Sequence, residues 1–409
     1  MLSSRKVWVW ATIWVLTRGF IVSHVGFWND VTHVQLEDVH IYEMWSDYLA
    51  TNHALPNEES WQYPPGAAFL MLIPRLGVGD FGEMFVGLML LCDLIGLVLL
   101  GMLGRRTGND TGVWVWLLGM PLLRALPVLR FDLVPTVIVM AALVVIHRRP
   151  AWFGALAGLG AMVKAWPIVV LFGEWERRRL IRAIVAALAT IVAIFAISAI
   201  VFGDQTSFVE EQNGRGLQVE SVATLPWHLR QIVTGEAPNA VLRFGAWEIA
   251  SPPADAVARM LKWATILALA GCAVWWFARA RAIRSGRRDL TDPAVSRDFV
   301  FTVVLLLVVT SRVLSPQYVI WLLGLASVVL TAGSTRLARP AWIVIGAVIL
   351  TTSAYGSADI TTIRNLALTV AALDASIAMF TLVRRPRPKE DALPPSAESN
   401  TGIAATWSR

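Results

Sequence analysis

Long apolar runs, separated by short clusters of charge, constrain this chain more than any other feature of its sequence. Only 16% of its 409 residues are charged, whereas roughly 25% is usual in a soluble domain. Runs of about 20 apolar residues can cross a bilayer as helices, and the chain contains many of them. Because lipid offers no hydrogen bonds to exposed backbone, we predict an all-α polytopic membrane protein.

The charges between the apolar runs set the predicted orientation. The net charge of +6 comes from basic residues that flank these runs, as in cytoplasmic loops, so nucleic-acid binding is not expected. Both termini are then cytoplasmic, and polar loops at residues 29–65 and 203–255 share the outer face. We expect one transmembrane domain over residues 1–383 and a disordered cytoplasmic tail at 384–409. About twelve crossings are expected, near residues 7–28, 83–103, 113–129, 133–146, 152–172 (as a pair), 180–202, 256–278, 299–314, 318–330, 341–354 and 366–382.

The segment at residues 152–172 could cross the membrane either once or twice. A basic pair at residues 148–149 precedes it, and a basic triplet at residues 177–179 follows it. A single crossing would separate these clusters, whereas two half-helices that turn at residues 164–167 would keep both on one face. Pro167 lacks an N–H group and interrupts a helix. We therefore predict a hairpin here, with a single crossing as the alternative.

The first outer loop carries an acidic cluster that is either a solvated surface or a catalytic site. Residues 37–42 read Glu-Asp-Val-His-Ile-Tyr, and residues 62–65 read Gln-Tyr-Pro-Pro before an apolar run. A carboxylate at the membrane surface can accept the proton of an acceptor hydroxyl while a lipid donor stays in the bilayer. The pattern therefore favours chemistry at this face.

The order of these residues resembles glycosyltransferase family 87, a GT-C group of bacterial membrane mannosyltransferases. An Asp-x-x-x-Tyr pattern at residues 38–42 precedes Tyr-Pro-Pro at residues 63–65. Later segments resemble the polar-Asp-Leu turn, the Gly-rich Lys-x-x-Pro segment and the Ser-Pro turn of that family, at residues 130–133, 158–167 and 312–318. The resemblance extends over residues 10 to 330.

The resemblance implies a GT-C bundle of about 10–13 transmembrane helices with catalytic extracytoplasmic loops, in the plasma membrane of a bacterium. It assigns the catalytic base to Asp38, with the adjacent Glu37 as the alternative. The implied donor is polyprenyl-phosphate mannose, transferred with inversion to a phosphatidylinositol mannoside or lipomannan. No metal or other cofactor is implied. The phosphatidylinositol-mannoside enzymes have a His-containing turn where this chain has Ser-Pro-Gln-Tyr at residues 315–318, which leaves the acceptor open.

Several further residues are candidates for substrate binding. Lys164 and Arg312 either hold the donor phosphate or snorkel and anchor at the interface. Arg130 either pairs with Asp132 or lines the cavity. The outer-loop pair Trp227 and His228 either contacts the acceptor or anchors the loop. With these, the predicted substrate-binding set is Glu37, His40, Tyr42, Tyr63, Arg130, Asp132, Lys164, Trp227, His228, Arg312, Gln317 and Tyr318.

The sequence contains no Gly-rich phosphate loop, no HExxH motif and no paired cysteine sites. No polar segment is long enough for a nucleotide-sugar-binding domain, so the sugar is expected to arrive on a lipid. The expected partners are membrane lipids, the polyprenyl-phosphate donor and a glycolipid acceptor. Three alternatives stay open: a polyprenyl-phosphate-arabinose donor, a multi-pass transporter or lipid flippase, and a non-catalytic scaffold.

Overall fold

The computed structural model describes residues 4–24, 29–56, 61–203, 214–352 and 357–384, with the backbone alone at residues 4, 24 and 29–37. These residues form an all-α membrane protein with one small β-hairpin, which confirms the predicted fold class. In chain order the helices are α1 (Ser4–His24), α2 (Asn29–Asn52), α3 (Gly66–Leu72), α4 (Phe81–Thr107), α5 (Thr111–Leu122), α6 (Leu126–Leu129), α7 (Leu133–Val145), α8 (Pro150–Val163), α9 (Arg177–Phe202), α10 (Leu225–Thr234), α11 (Pro252–Arg284), α12 (Pro293–Val309), α13 (Tyr318–Thr331), α14 (Ala338–Thr351) and α15 (Ala358–Arg384).

Short elements complete the architecture. Strands β1 (Ala240–Arg243) and β2 (Ala246–Ile249) pair antiparallel between α10 and α11, with Ala240 opposite Ile249. The 3-10 helices lie at Ile73–Leu76, Trp166–Gly173, Val222–Thr224 and Arg288–Thr291.

The membrane character rests on long, apolar helices. Within the described ranges, α4, α9, α11 and α15 are long and apolar enough to cross a bilayer by themselves. Shorter apolar helices, among them α5, α7, α8, α13 and α14, complete the bundle. α13 forms its centre, since every residue from Val319 to Thr331 is buried. The number of crossings stays a prediction.

Local signals in the sequence explain where α4 begins and ends. The carboxylate of Asp80 accepts a hydrogen bond from the Glu83 N–H at 3.0 Å, which caps the first turn. At the other end, Gly108 adopts a left-handed conformation with φ of 74°, which glycine tolerates better than other residues. Two arginines, Arg105 and Arg106, occupy the last turn, where a positive charge is favourable.

Three elements differ from the sequence predictions. The predicted span 113–129 is interrupted between α5 and α6, because Arg124 adopts a positive φ of 56° that no right-handed helix contains. The polar loop predicted at residues 29–65 forms a helix over Asn29–Asn52, because no Gly or Pro breaks the sequence there. The β-hairpin was not predicted, since its turn at Phe244 and Gly245 lacks the usual Asn-Gly signal.

The predicted hairpin at residues 152–172 is confirmed, and the single crossing is wrong. α8 ends at Val163, Lys164 is extended, and a 3-10 helix follows from Trp166. The two ends of the segment meet, because His147 Nδ1 lies 2.8 Å from the carboxylate of Glu174. The flanking basic clusters therefore lie on the same face.

Small residues allow the hairpin to pack tightly against α9. Gly154 and Gly158 are one turn apart on α8 and face Ala183 and Ala187 of α9. A Cβ atom added at Gly158 would lie 2.5 Å from the Ala187 carbonyl oxygen. This is the small-x-x-x-small packing that lets membrane helices approach backbone to backbone.

A buried ion pair joins the first helix to the bundle. Arg18 of α1 donates from Nε to Asp93 of α4 at 2.7 Å, and from Nη1 to the Leu117 carbonyl of α5 at 2.7 Å. Both charged side chains are almost fully buried. Because an unpaired charge is costly at membrane depth, this pair fixes α1 against α4 and α5.

The hairpin predicts a labelling pattern for single cysteines in a variant that lacks Cys92 and Cys272. Cysteines at Arg149 and Arg178, which are both exposed, should react with a membrane-impermeant maleimide from the same side of the membrane. A cysteine at Arg230 should react only from the other side, because the 26 residues of α9 lie between and span about 39 Å at 1.5 Å per residue. Labelling of positions 149 and 178 from opposite sides would contradict the structure.

Candidate active site

A lysine at the turn of the hairpin is held inside an aromatic cage. Lys164 Nζ donates to Asp132 Oδ1 at 2.6 Å, and Trp321 Nε1 donates to the same oxygen at 2.8 Å. The ammonium also lies 5.2 to 5.6 Å from four ring centroids, within the range of cation–π attraction. The rings belong to Tyr63, Phe131, Tyr318 and Trp321.

This geometry shows that Lys164 does not snorkel. Its side chain is 12% exposed, and its charge is neutralised by Asp132, which is buried at the start of α7. The ion pair therefore connects the hairpin turn to α7, and through Trp321 to α13.

A second ion pair joins the first outer loop to the same region. Arg130 Nη2 pairs with the carboxylate of Asp38, which lies on α2. Of the two alternatives for Arg130, the local pair with Asp132 is therefore wrong. Arg130 is extended while Asp132 already has helical backbone angles, so the two side chains point to different partners.

Two tyrosines link these ion pairs. The buried ring of Tyr42 lies 5.4 Å from that of Phe131, and the ring of Tyr63 lies 4.9 Å from it on another side. Burial raises the pKa of Tyr42 and of Tyr63, and the nearby Asp132 raises the pKa of Tyr63 further. Both phenols therefore stay protonated at neutral pH and can donate a hydrogen bond.

A cavity of about 430 Å³, which we call cavity A, opens beside Lys164. Polar groups occupy one part of its lining, including Lys164, Arg215 and Gln317. Apolar side chains of α12 form another part: Val304, Leu307 and Val308. The cavity therefore combines a cationic region with an apolar wall.

A second cavity, cavity B, lies on the other side of the turn between α12 and α13. Its volume is about 510 Å³, and its lining includes Arg130, His228 and Trp247. Ser315 and Gln317 line both cavities. Because Arg130 pairs with Asp38, the Asp38 carboxylate lies close to the wall of cavity B.

Arg312 lines neither cavity A nor cavity B. It lies on a third, basic cavity of about 550 Å³, cavity C, together with Arg243, Arg259 and Lys262. Burial and the nearby Arg215 lower the pKa of Arg312. Lys164 and Arg312 therefore do not line the same cavity, whereas Arg215 lines both A and C.

The sequence comparison agrees with the resemblance seen in the motifs. The family model for glycosyltransferase family 87 matches residues 61–311, which is more than half of the chain. The chain belongs to glycosyltransferase family 87. No curated protein and no solved structure gives a match. Asp38 and the turn at residues 312–318 are outside the matched range, so their roles stay predictions.

Other candidate residues lie away from the centre of this glycosyltransferase. His40 is exposed on α2, with Nδ1 3.7 Å from the carboxylate of Glu43. Trp227 packs on a small separate core with Leu217 and Ile249. The side chain of Glu37 is outside the described residues. Their contacts with substrate stay predictions.

Sequence reasoning missed Arg215 of the glycosyltransferase. It follows a long polar segment, and its guanidinium donates from Nη2 to the Phe244 carbonyl at 3.2 Å. The available signal was its position between Gly214 and Gly216. Gly216 approaches the carboxylate of Glu248 closely, and its N–H donates to that carboxylate at 3.0 Å.

Metal ligands were not predicted for the glycosyltransferase. Among the described side chains, no group of three or more His, Cys, Asp or Glu is placed to hold a metal ion. The independence from metal stays a prediction.

The caged ion pair predicts a stability effect. Lys164→Met leaves the carboxylate of Asp132 buried without its cation, so the free energy of unfolding in detergent should fall by about 3 kcal/mol or more. The double variant Lys164→Met with Asp132→Asn should recover most of this loss, because the buried charge is gone. Thermal or denaturant unfolding of the purified protein measures both.

A matched control is the exposed pair of Arg230 and Glu236, whose side chains are 68% and 67% exposed. Arg230→Met should cost less than about 1 kcal/mol. A Lys164→Met protein as stable as wild type would show that the pair does not hold the site together.

Proposed function

We propose that this glycosyltransferase transfers mannose from polyprenyl-phosphate mannose to a lipid-linked glycan, with inversion at the anomeric carbon. The acceptor would be of the phosphatidylinositol-mannoside or lipomannan type, on the extracytoplasmic face of a bacterial plasma membrane. The supporting observation is that cavity A, part cationic and part apolar, lies beside the region that contains Asp38.

The lining of cavity A suits a lipid-phosphate donor. Thr265 of α11 contributes to it together with the apolar face of α12. In the most apolar stretch of α11, only 11% of the residues are buried inside the protein. Much of this helix is therefore available to lipid. A polyprenyl chain can therefore lie along the apolar wall while its phosphate lies at the polar region.

Arg215 is the best-placed counter-charge for the phosphate. The charge of Lys164 is already neutralised by Asp132, whereas Arg215 lines cavity A from the outer loop. A guanidinium binds phosphate oxygens in pairs. It also stabilises the negative charge that grows on the departing phosphate in the transition state.

Asp38 would act as the catalytic base. Its carboxylate accepts the proton of the acceptor hydroxyl, and the hydroxyl oxygen forms a bond to the anomeric carbon. The bond between that carbon and the phosphate oxygen breaks, and its electron pair leaves with the polyprenyl phosphate. Attack from the opposite face inverts a β-linked donor to an α-linked product. Arg130, paired with Asp38, would orient the carboxylate of this base.

The wider arrangement is proposed as one transmembrane glycosyltransferase domain over residues 1–383, with both termini in the cytoplasm. Its partners would be membrane lipids, the donor and a glycolipid acceptor, with no nucleic acid. No metal or other cofactor takes part in the proposed reaction. Of the tail predicted at residues 384–409, Arg384 ends α15, and residues 385–409 are outside the described residues.

The base can be tested by replacing Asp38 with asparagine, which keeps the shape and removes the proton acceptor. Membranes with the wild type should transfer radiolabelled mannose from polyprenyl-phosphate mannose to a mannolipid mixture, also with a chelator present. Asp38→Asn should lower turnover by roughly a hundredfold or more, as expected for loss of a general base.

The matched control is Asp47→Asn, which makes the same change at another carboxylate of α2. Asp47 is largely exposed and pairs with Arg75, so full turnover is expected. Equal transfer by Asp38→Asn and wild type would move the search to Glu37 or Asp132. If neither the wild type nor a variant uses the mannose donor, a polyprenyl-phosphate-arabinose donor is the next substrate to supply. Uptake of the lipid-linked sugar without turnover would indicate a transporter.

The counter-charge can be tested by comparing two arginines. Arg215→Ala should lower kcat/KM for the donor by about 10- to 100-fold, because it removes charge-assisted hydrogen bonds to the phosphate. Arg312→Ala, which changes cavity C, should lower it less than about threefold. The opposite order of effects would assign the phosphate to cavity C.

A further inference from the structure

Cavity B has no role in the donor chemistry, although it lies against the proposed base. It is enclosed by the second outer loop, the turn at residues 315–317 and the first turn of α15. Its volume of about 510 Å³ falls in the range of small-molecule sites. The chemistry of its wall indicates what such a ligand must offer.

The first informative group is His228. The ring is 7% exposed, and Nε2 lies 2.9 Å from the Val219 carbonyl oxygen. A carbonyl oxygen only accepts hydrogen bonds, so Nε2 carries the proton, and Nδ1 of the neutral ring is then an acceptor. Nδ1 is buried, and none of the described residues donates to it.

The second group is Gln317, which is also 7% exposed. Its amide oxygen is buried and receives no hydrogen bond within the described part of the chain. Buried acceptors are nearly always satisfied in native structures. Two such acceptors belong to residues that line cavity B, and a ligand that supplies hydrogen-bond donors, such as hydroxyl groups, would satisfy them.

The charges around cavity B argue against an anionic ligand group. Glu220 pairs with Arg364, and Arg130 pairs with Asp38, so the charged side chains of the wall already have protein partners. Trp247 is 56% exposed at the rim and presents an aromatic surface. Hydroxyl donors beside an indole, without a charge to neutralise, are the properties of a neutral sugar.

We propose that cavity B is the subsite for a neutral sugar of the acceptor, whose hydroxyl groups donate to His228 Nδ1 and Gln317. This proposal rests on the proposed glycosyl transfer, because it places the acceptor between the base and the donor. Arg130 connects this cavity to Asp38, and Gln317 is shared with cavity A. A sugar bound here would lie between the proposed base and the proposed donor cavity.

Two substitutions of His228 separate its two nitrogens. In His228→Gln, the amide nitrogen can replace Nε2 as donor to Val219, but the acceptor at Nδ1 is lost. In His228→Asn, the amide lies near the position of Nδ1, but the bond to Val219 is lost. The acceptor KM of His228→Gln should rise about three- to tenfold, as for one lost hydrogen bond, with the donor KM unchanged. His228→Asn should keep more of the acceptor affinity.

The matched control is His53→Gln, at an exposed histidine beyond the end of α2 that lines none of the three cavities. Both KM values should be unchanged there. Unchanged acceptor KM in His228→Gln and in Gln317→Leu, with transfer intact, would overturn the subsite while leaving the proposed function in place.

Sugar binding without turnover distinguishes the two proposals. Saturation-transfer NMR on the purified protein in detergent, with methyl α-mannoside or an α-linked mannobiose as probe, should show contact in wild type and at least a twofold weaker signal in Trp247→Ala and His228→Gln. Binding without transfer would support the subsite and count against the proposed reaction. Transfer by wild type without any binding that depends on these residues would overturn the subsite alone. Neither binding nor transfer would overturn both.

Discussion

The pairing of Lys164 with Asp132 is the interaction on which the candidate site depends. A charge at membrane depth is costly unless it is paired, so the lysine at the hairpin turn must meet a carboxylate. That requirement joins the hairpin to α7, and Trp321 extends it to α13. The pairs Arg18–Asp93 and Glu220–Arg364 act in the same way at α1 and at the second outer loop.

Much of the fold could be predicted because the bilayer restricts it. Apolar runs of sufficient length become helices, and the basic clusters around residues 152–172 require an even number of crossings there. The break at Arg124 was not predicted, although Pro121 and Pro127 flank it and proline disfavours a continuous helix. The turn at Phe244 and Gly245 was missed because Phe, and not the usual Asn or Asp, occupies its first positive-φ position, although Gly245 suits the second.

The candidate site was predicted as a set of residues but not as a set of contacts. Asp38, Tyr42, Tyr63, Asp132 and Lys164 do lie in one region, and the motifs gave that much. The partners were left open: Arg130 could pair with the adjacent Asp132 or line the cavity, whereas the fold pairs Asp132 with a lysine that is 32 positions away. Arg215 was missed because its proximity to cavity A exists only after the second outer loop folds over the bundle.

The glycines of the helix contacts have a consequence for how this sequence can change. At Gly112 and Gly154, even a methyl group would overlap the backbone of the facing helix, at Ser327 and Ala183 respectively. Alanine is therefore excluded at positions that carry no chemistry at all. By contrast, Leu188 and Val192 on the exposed surface of α9 can exchange freely with other apolar residues in contact with lipid. A position in this enzyme thus tolerates substitution less when the backbones of two helices lie close together there, whatever the size of its own side chain.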